Sequence, residues 1–220
     1  MSFKKYLPFI IIIVAAVVLV GGFLIVKKIT QPVSTDMSQD DGSVADLPQD
    51  QKPVAALVPT SDGHYLTLKV DGIKVPNATS MDYDLLWKAN NSGTLTPQGT
   101  SSTVQLNGQT SFKKDLLLGS ESNGKFRYDK GVENGTLTLR FRNSNGKLLG
   151  KVTTDFHLQT GTTNLSSVDG SFKYTLSKIA DGVWFVTMQT FGNPNPSSFI
   201  SYFGNYSIIA SDGRILPVEK

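Results

Sequence analysis

The sequence predicts a mainly β protein: an immunoglobulin-like β-sandwich with a C-terminal β extension, preceded by one transmembrane α-helix. Asp-Gly and Asn-Gly pairs recur from residue 62 to residue 213, and such pairs supply the positive φ angles that tight hairpin turns require. Between them lie short segments in which apolar and polar residues alternate with period two, the pattern of half-buried strands. Near the N-terminus, residues 7–26 form a run of 20 residues without a charge, which is long enough to span a bilayer as a helix.

The run 7–26 is rich in Ile, Val and Leu, and as a helix such a segment satisfies its own backbone inside hydrocarbon. Lys27 and Lys28 follow it directly. A cleaved signal peptide is the main alternative, but its apolar region is usually shorter and ends in a small-residue cleavage site. A pilin-like helix is a second alternative, for which we find no processing motif. Residues 7–26 are therefore predicted to contact membrane lipid.

The orientation of this helix follows from its flanks and from what comes after it. Lys4, Lys5 and the α-amino group precede the run, and Lys27 and Lys28 follow it, so the positive-inside count has a narrow margin. The leading tail is short, and the long C-terminal part has the Asn-, Thr- and Ser-rich β chemistry of secreted modules. We therefore predict a single-pass protein of the cell membrane, with a cytoplasmic tail 1–6 and an extracytoplasmic C-terminal domain.

The charge balance argues against a nucleic-acid partner. The chain has 21 basic and 18 acidic residues. Four of the basic residues flank the apolar run, so residues 29–220 carry 17 basic against 18 acidic groups, a net charge of −1. Such a body has no general basic field to attract phosphate. The chain also has no cysteine and only 2 histidines, and we predict no cofactor and no metal site.

Composition divides the remaining chain into three parts. Residues 27–53 are predicted to form a flexible stalk, because Pro, Ser, Asp and Gln dominate the segment 30–53. Residues 54–160 are predicted to form the β-sandwich domain. Residues 161–220 are predicted to form a C-terminal β-rich extension packed on the sandwich. A single extended sandwich is the competing description.

Three segments show the strand pattern most clearly. In 80–89 alternate residues from Met81 to Ala89 are apolar, and the same alternation recurs in 136–142 and 152–158. One face of each segment is therefore expected to be buried. Further strands are predicted at 64–70, 103–106, 110–118, 171–177, 183–190 and 205–210.

The chain resembles a recurrent domain of uncharacterised bacterial proteins in three segments: LLLGSESNGKFRYDKGVENGTLTLRFRNSNGKLLGKVTTDFHL (116–158), DGHYLTLKV and YDLLWK. That family combines one N-terminal membrane helix with an extracytoplasmic immunoglobulin- or fibronectin-III-like β domain. The resemblance covers roughly half of the chain. It implies architecture and location alone, because its motifs are turn and core residues and it transfers no catalytic residue.

A search for catalytic groups gives two weak arrangements. Asp82 and Asp84 share a strand face roughly 7 Å apart, a separation that fits an inverting glycosidase. His157 shares a face with Asp155, yet a polar row facing solvent is the simpler interpretation. Arg140 and Arg142 are interpreted as charges that protect a sheet edge, as in many β proteins. We therefore predict no catalytic residue and no enzyme activity.

The loop 191–206 is the candidate binding site. It is rich in aromatic residues around Pro194 and Pro196, and loops on rigid sandwiches often carry binding. The alternative is that these rings fold back over the end of the sandwich. The predicted binding residues are Phe191, Phe199, Tyr202, Phe203 and Tyr206.

These features predict a binding or scaffolding module at the cell envelope, whose partner is an envelope protein or a polysaccharide. One alternative is an accessory subunit of a membrane complex, assembled through the N-terminal helix. A further alternative is a glycan-acting envelope enzyme that uses Asp82 and Asp84 or groups near His157. The sequence leaves the oligomeric state open.

Overall fold

The structure is a computed structural model, and it describes residues 46–91, 93–192 and 200–217. The predicted transmembrane helix 7–26 lies outside these ranges, as do the cytoplasmic tail and the stalk up to residue 45. Within the described ranges, no helix combines the length and the apolar character needed to cross a membrane. Their regular elements are strands, β1 to β14, which confirms the mainly β prediction.

The strands pair into a seven-stranded sheet, a three-stranded sheet and two hairpins, β6-β7 and β10-β11. All of these pairings are antiparallel. The strand bounds are β1 Val54–Pro59, β2 Tyr65–Asp71, β3 Ser80–Asn90, β4 Leu95–Gln105, β5 Ser111–Leu117, β6 Gly119–Ser122, β7 Lys125–Tyr128, β8 Asn134–Arg142, β9 Leu148–Thr160, β10 Asn164–Ser166, β11 Lys173–Thr175, β12 Trp184–Gln189, β13 Ser201–Phe203 and β14 Tyr206–Ala210.

The seven-stranded sheet has the order β13-β14-β12-β9-β8-β3-β4. Its centre consists of β3, β8 and β9, the three strands whose alternation the sequence shows most clearly. Their apolar sides are buried as predicted, and their polar sides face outward. The buried apolar residues of these strands are Met81, Tyr83, Leu85, Trp87, Ala89, Leu137, Leu139, Phe141, Leu148, Val152, Phe156 and Leu158.

The main core lies between this sheet and the three-stranded sheet β1-β2-β5. Leu57 of β1 and Leu66 and Leu68 of β2 are fully buried in it, together with Leu139 and Phe141 of β8. Two sheets that share one apolar layer form a β-sandwich. The described part of the chain is therefore consistent with the predicted sandwich.

A second, smaller core lies on the opposite, outer face of the seven-stranded sheet. Phe185 of β12 and Ile208 of β14 point to this side, where Leu165 of β10 and Leu176 beyond β11 cover them. The hairpin β10-β11 therefore covers only one part of the outer face. The turn between these two strands, 167–172, borders the uncovered part.

Strand pairing runs across the domain boundary predicted at 160/161. β12 pairs with β9, so that Val186 lies opposite Leu158, and β14 continues the sheet beyond β12. The C-terminal segment thus extends the main sheet through its strands, an arrangement like the single sandwich considered as the competing description. The division into two domains stays a prediction.

The ordered body begins earlier than residue 54. Leu47, within the predicted stalk, is 4% exposed and belongs to the main core. It lies over Gly150, where a Cβ atom would come within 2.3 Å of its Cδ2. The amide of Gln49 donates a hydrogen bond to the carbonyl of Phe191 at 3.1 Å. The part of the stalk that the structure describes, 46–53, therefore packs against the sandwich.

Asp129 ties the loop after β7 to the end of β3. The indole N–H of Trp87 donates to Asp129 Oδ2 at 2.9 Å, and the amide of Asn91 donates to Asp129 Oδ1 at 2.9 Å. Trp87 is buried, so its N–H has lost contact with water and depends on this partner. The carboxylate thus satisfies a buried donor and fixes a loop at once.

We expect Asp129→Ala to lower the free energy of unfolding by about 1–3 kcal/mol, because the Trp87 N–H then stays buried without a partner. Asp115→Ala is the matched control, since Asp115 is exposed and accepts a hydrogen bond from Thr67. The control should change stability by less than about 0.5 kcal/mol. Urea denaturation followed by tryptophan fluorescence measures both, and equal effects would contradict this role of Asp129.

Candidate functional site

The structure describes four of the five predicted binding residues and does not bring all four together. Phe191 is 8% exposed and belongs to the main core, and the ring of Tyr202 also packs against that core. Burial and the charge of Asp71 raise the pKa of Tyr202. Phe203, the next residue on β13, packs on the outer face with the second core. Phe199 lies outside the described residues.

Phe203 and Tyr206 come together in an aromatic cluster with two rings that the sequence search did not select. The ring of Phe172 stacks on Tyr206 with a centroid distance of 4.9 Å and lies 5.5 Å from Phe203. Tyr174 contacts Phe203 at 5.1 Å. This cluster stands beside the turn 167–172, at one end of the uncovered part of the outer face.

The uncovered part is crossed by a row of outward-facing positions in register. Gly99 of β4 lies opposite Leu86 of β3, which lies opposite Thr136 of β8, and Thr136 lies opposite Asp155 of β9. At the far side Gln189 of β12 lies opposite Tyr206 of β14. Asp155 and Gln189 line the same cleft, which joins the two halves of the row. The row therefore crosses six neighbouring strands.

Two adjoining clefts follow this row, and we call them together the outer groove. One has a volume of about 160 Å³ and the other about 320 Å³, and both are lined by Asp155 and Val168. Leu86 and Val168 are exposed aliphatic residues, at 57% and 44%. The other lining residues are Trp87, Lys88, Pro97, Gln98, Asn134, Gly135, Thr136, Thr153, Thr154, Ser167, Asp169, Gln189 and Tyr206.

The carboxylates of the outer groove are held in fixed positions by hydroxyl groups. Thr136 donates to Asp155 Oδ1 at 2.8 Å. Asp169 accepts hydrogen bonds from the hydroxyls of Ser167 and Ser171 and from the Ser171 backbone N–H. The bond from Ser167, followed by those from Ser171, lowers the pKa of Asp169. Both carboxylates thus face the groove as oriented acceptors.

Tyr206 is oriented in the same way at the end of the groove. Its hydroxyl accepts a hydrogen bond from the Gln189 amide at 2.9 Å and lies 2.6 Å from the Ser171 hydroxyl. Stacking on Phe172 fixes its ring. Side chains that are positioned before a ligand arrives lose little freedom on binding, so the groove is preorganised.

Asp82 and Asp84, the candidate carboxylate pair, each form an ion pair with an arginine. Arg142 Nε donates to Asp82 Oδ2 at 2.7 Å, and Arg140 forms an ion pair with Asp84. Asp82 is only 4% exposed and also accepts a hydrogen bond from Thr103. The interpretation of both arginines as edge protection is wrong, because β8 lies between β9 and β3 in the interior of the sheet.

The histidines make structural contacts. His157 Nδ1 donates to the carbonyl of Ser166 at 2.8 Å, which ties β9 to β10. His64 stacks on Tyr128 at a centroid distance of 3.8 Å, and its Nδ1 lies 3.2 Å from Asp62 Oδ2. Among the described residues, no group of three or more His, Asp or Glu side chains is placed to hold a metal ion.

Sequence reasoning missed most of the outer groove. Leu86 interrupts the polar side of β3, which is a visible but isolated signal. Val168 stands directly before an Asp-Gly turn, where a single apolar residue has no period to mark it. Register between strands brings these residues together, and register is not readable from one strand alone.

Comparison with known proteins assigns no function to the groove. No protein-family model matches the chain, and no curated protein matches it.

The hydrogen bonds that lower the pKa of Asp169 can be tested by titration. We expect Ser167→Ala to raise the pKa of Asp169 toward the ordinary value, because the largest cause of its lowering is removed. In the native chain the stabilisation by Asp169 is present above its unfolded pKa and is lost as pH falls through the lower folded pKa. Carboxyl NMR titration reports the shift.

Asp62 supplies the control for this titration. Its pKa is lowered chiefly by the Thr60 hydroxyl, at a turn of the other sheet, so Ser167→Ala should leave the pKa of Asp62 unchanged. An Asp169 pKa that is the same with and without the Ser167 hydroxyl would contradict the proposed geometry of the turn.

Proposed function

We propose that the protein is a membrane-anchored binding module that displays its β-sandwich on the extracytoplasmic side of the cell envelope. The helix predicted at 7–26 anchors the chain, and the stalk gives the sandwich reach. The outer groove binds an envelope polymer or the surface of an envelope protein. The observation that supports this most is the row of outward-facing positions across six strands, in which Asp155 and Tyr206 are held by hydrogen bonds.

The groove has the properties of a recognition surface. Its polar groups are held by neighbours within the protein. Exposed aliphatic groups alternate with these polar groups, as Leu86 and Val168 do with Thr136 and Asp155. Binding sites usually combine apolar contact area with a few well-placed polar groups that fix orientation.

The alternative of a glycan-acting enzyme has weaker support. A general acid and a general base must exchange protons with a substrate. Asp82 instead lies buried between Arg142 and Thr103, and Asp84 is held by Arg140. Each carboxylate is thus engaged with an arginine of the neighbouring strand β8 and is not available for proton exchange. We therefore assign the outer face to binding.

Affinity capture with the full-length chain from detergent-solubilised envelopes tests this function. Leu86→Lys places a long charged side chain in the middle of the groove, whereas Ile179→Lys places the same side chain at another site of similar exposure. We expect a retained component that is lost with Leu86→Lys and kept with Ile179→Lys. Retention that is equal for both variants, or no retained component at all, would contradict binding through the groove.

A further inference from the structure

We propose that the ligand of the outer groove is an extended, uncharged polysaccharide whose chain lies across the strands. This inference rests on the proposed binding function and names the ligand class. Four properties of the groove carry it: the state of its backbone, the pairing of its charges, the chemistry of its side chains and its length.

The backbone groups of the strands under the groove already form hydrogen bonds within the sheet. From β3 to β12 each strand pairs with a neighbour on both sides, so its N–H and C=O groups belong to the sheet ladder. A peptide that binds by strand addition needs an open sheet edge. A ligand that crosses the floor from β3 to β12 must therefore be recognised through side chains.

The charges of the groove disfavour an anionic ligand. Arg140 and Arg142 on this face are engaged with Asp84 and Asp82. Asp155 and Asp169 face the groove, so an anionic chain would meet carboxylates along it. Lys88 stands at the end near β4. Asp155 accepts a hydrogen bond from the hydroxyl of Thr136, and Asp169 accepts from the hydroxyls of Ser167 and Ser171. Each carboxylate has further lone pairs, which can accept hydrogen bonds from the hydroxyl groups of a ligand.

The side chains match the surface of a sugar ring. Each ring presents hydroxyl groups that both donate and accept, and it presents patches of C–H groups. The amides of Gln98, Asn134 and Gln189 and the hydroxyl of Tyr206 supply donors and acceptors. The exposed aliphatic groups of Leu86 and Val168 supply contact area for the C–H patches. A chain of such rings can repeat both kinds of contact along the row.

The length of the groove predicts the length of the bound segment. Six strands, from β14 to β4, leave five intervals of about 4.8 Å, so the row is roughly 24 Å long. A pyranose ring with its glycosidic oxygen is similar in length to one strand interval, which is about 4.8 Å. The row therefore accommodates about five sugar units, one per strand interval.

Affinity electrophoresis of the full-length chain in detergent tests the inference. The gels contain soluble neutral polysaccharides as probes: a glucan, a mannan, a galactan and glycol chitin. We expect at least one of them to retard the protein. Oligosaccharides of the retarding polymer should then compete with increasing strength up to about five units and no further, since longer chains extend beyond the row.

Val168→Asp and Ile179→Asp form the matched pair of variants. They place the same charge at sites of similar exposure, 44% and 49%, but only Val168 lines the groove. We expect the first to weaken retardation about ten-fold, equivalent to about 1.4 kcal/mol, and the second to leave it unchanged. Equal binding by both variants would overturn the assignment of the glycan to the groove.

The outcomes separate this inference from the proposed function. If no neutral polysaccharide retards the protein, while envelope capture still returns a component sensitive to Leu86→Lys, the glycan is wrong and the binding function stands. If heparin or polylysine, used as charged probes, binds in place of the neutral polymers, the neutral class is wrong. If neither capture nor electrophoresis shows dependence on the groove, both proposals fail.

Discussion

The burial of one face of the seven-stranded sheet is the constraint on which the rest of the structure depends. β3, β8 and β9 place alternate apolar side chains against β1, β2 and β5, and this layer is the main core. A slip of one residue in any of these strands would expose its apolar side chains and bury its polar ones. The register is therefore set by the core, and the order of side chains on the opposite face follows from it.

The outer groove is a consequence of that register. Leu86, Thr136 and Asp155 lie in one line because Leu85, Leu137 and Phe156 must point into the core. The C-terminal strands then continue the line to Gln189 and Tyr206. The hairpin β10-β11 adds a wall to the groove because Leu165 covers the second core. Stability and the candidate site thus use the two faces of the same strands.

The sequence was informative where one strand carries its own pattern. The segments 80–89, 136–142 and 152–158 alternate so regularly that their buried faces could be predicted. β4 was predicted only at 103–106, whereas it spans Leu95–Gln105, because an exposed strand of Ser, Thr and Gln lacks an apolar period. Leu47 was missed for a similar reason, since one leucine within a polar segment forms no pattern.

Features that depend on which strands are neighbours could not be predicted from the residue pattern of each strand alone. Tyr202 and Phe203 are consecutive aromatic residues, yet one packs on the main core and the other on the second. The sequence suggests that Arg140 and Arg142 are charges at a sheet edge, whereas the strand order places β8 inside the sheet. The outer groove is the extreme case, because its residues come from six strands and only register aligns them.

Native-state hydrogen exchange on the full-length chain tests whether the groove is one preorganised surface on one sheet. The slowest amides of β12 and β14 should open with free energies within about 1 kcal/mol of those of β8 and β9, as expected for one cooperative unit. Amides of β12 and β14 that open several kcal/mol more easily would show that the C-terminal strands separate from the sheet. The groove would then be an assembly of two independent parts and not one preorganised surface.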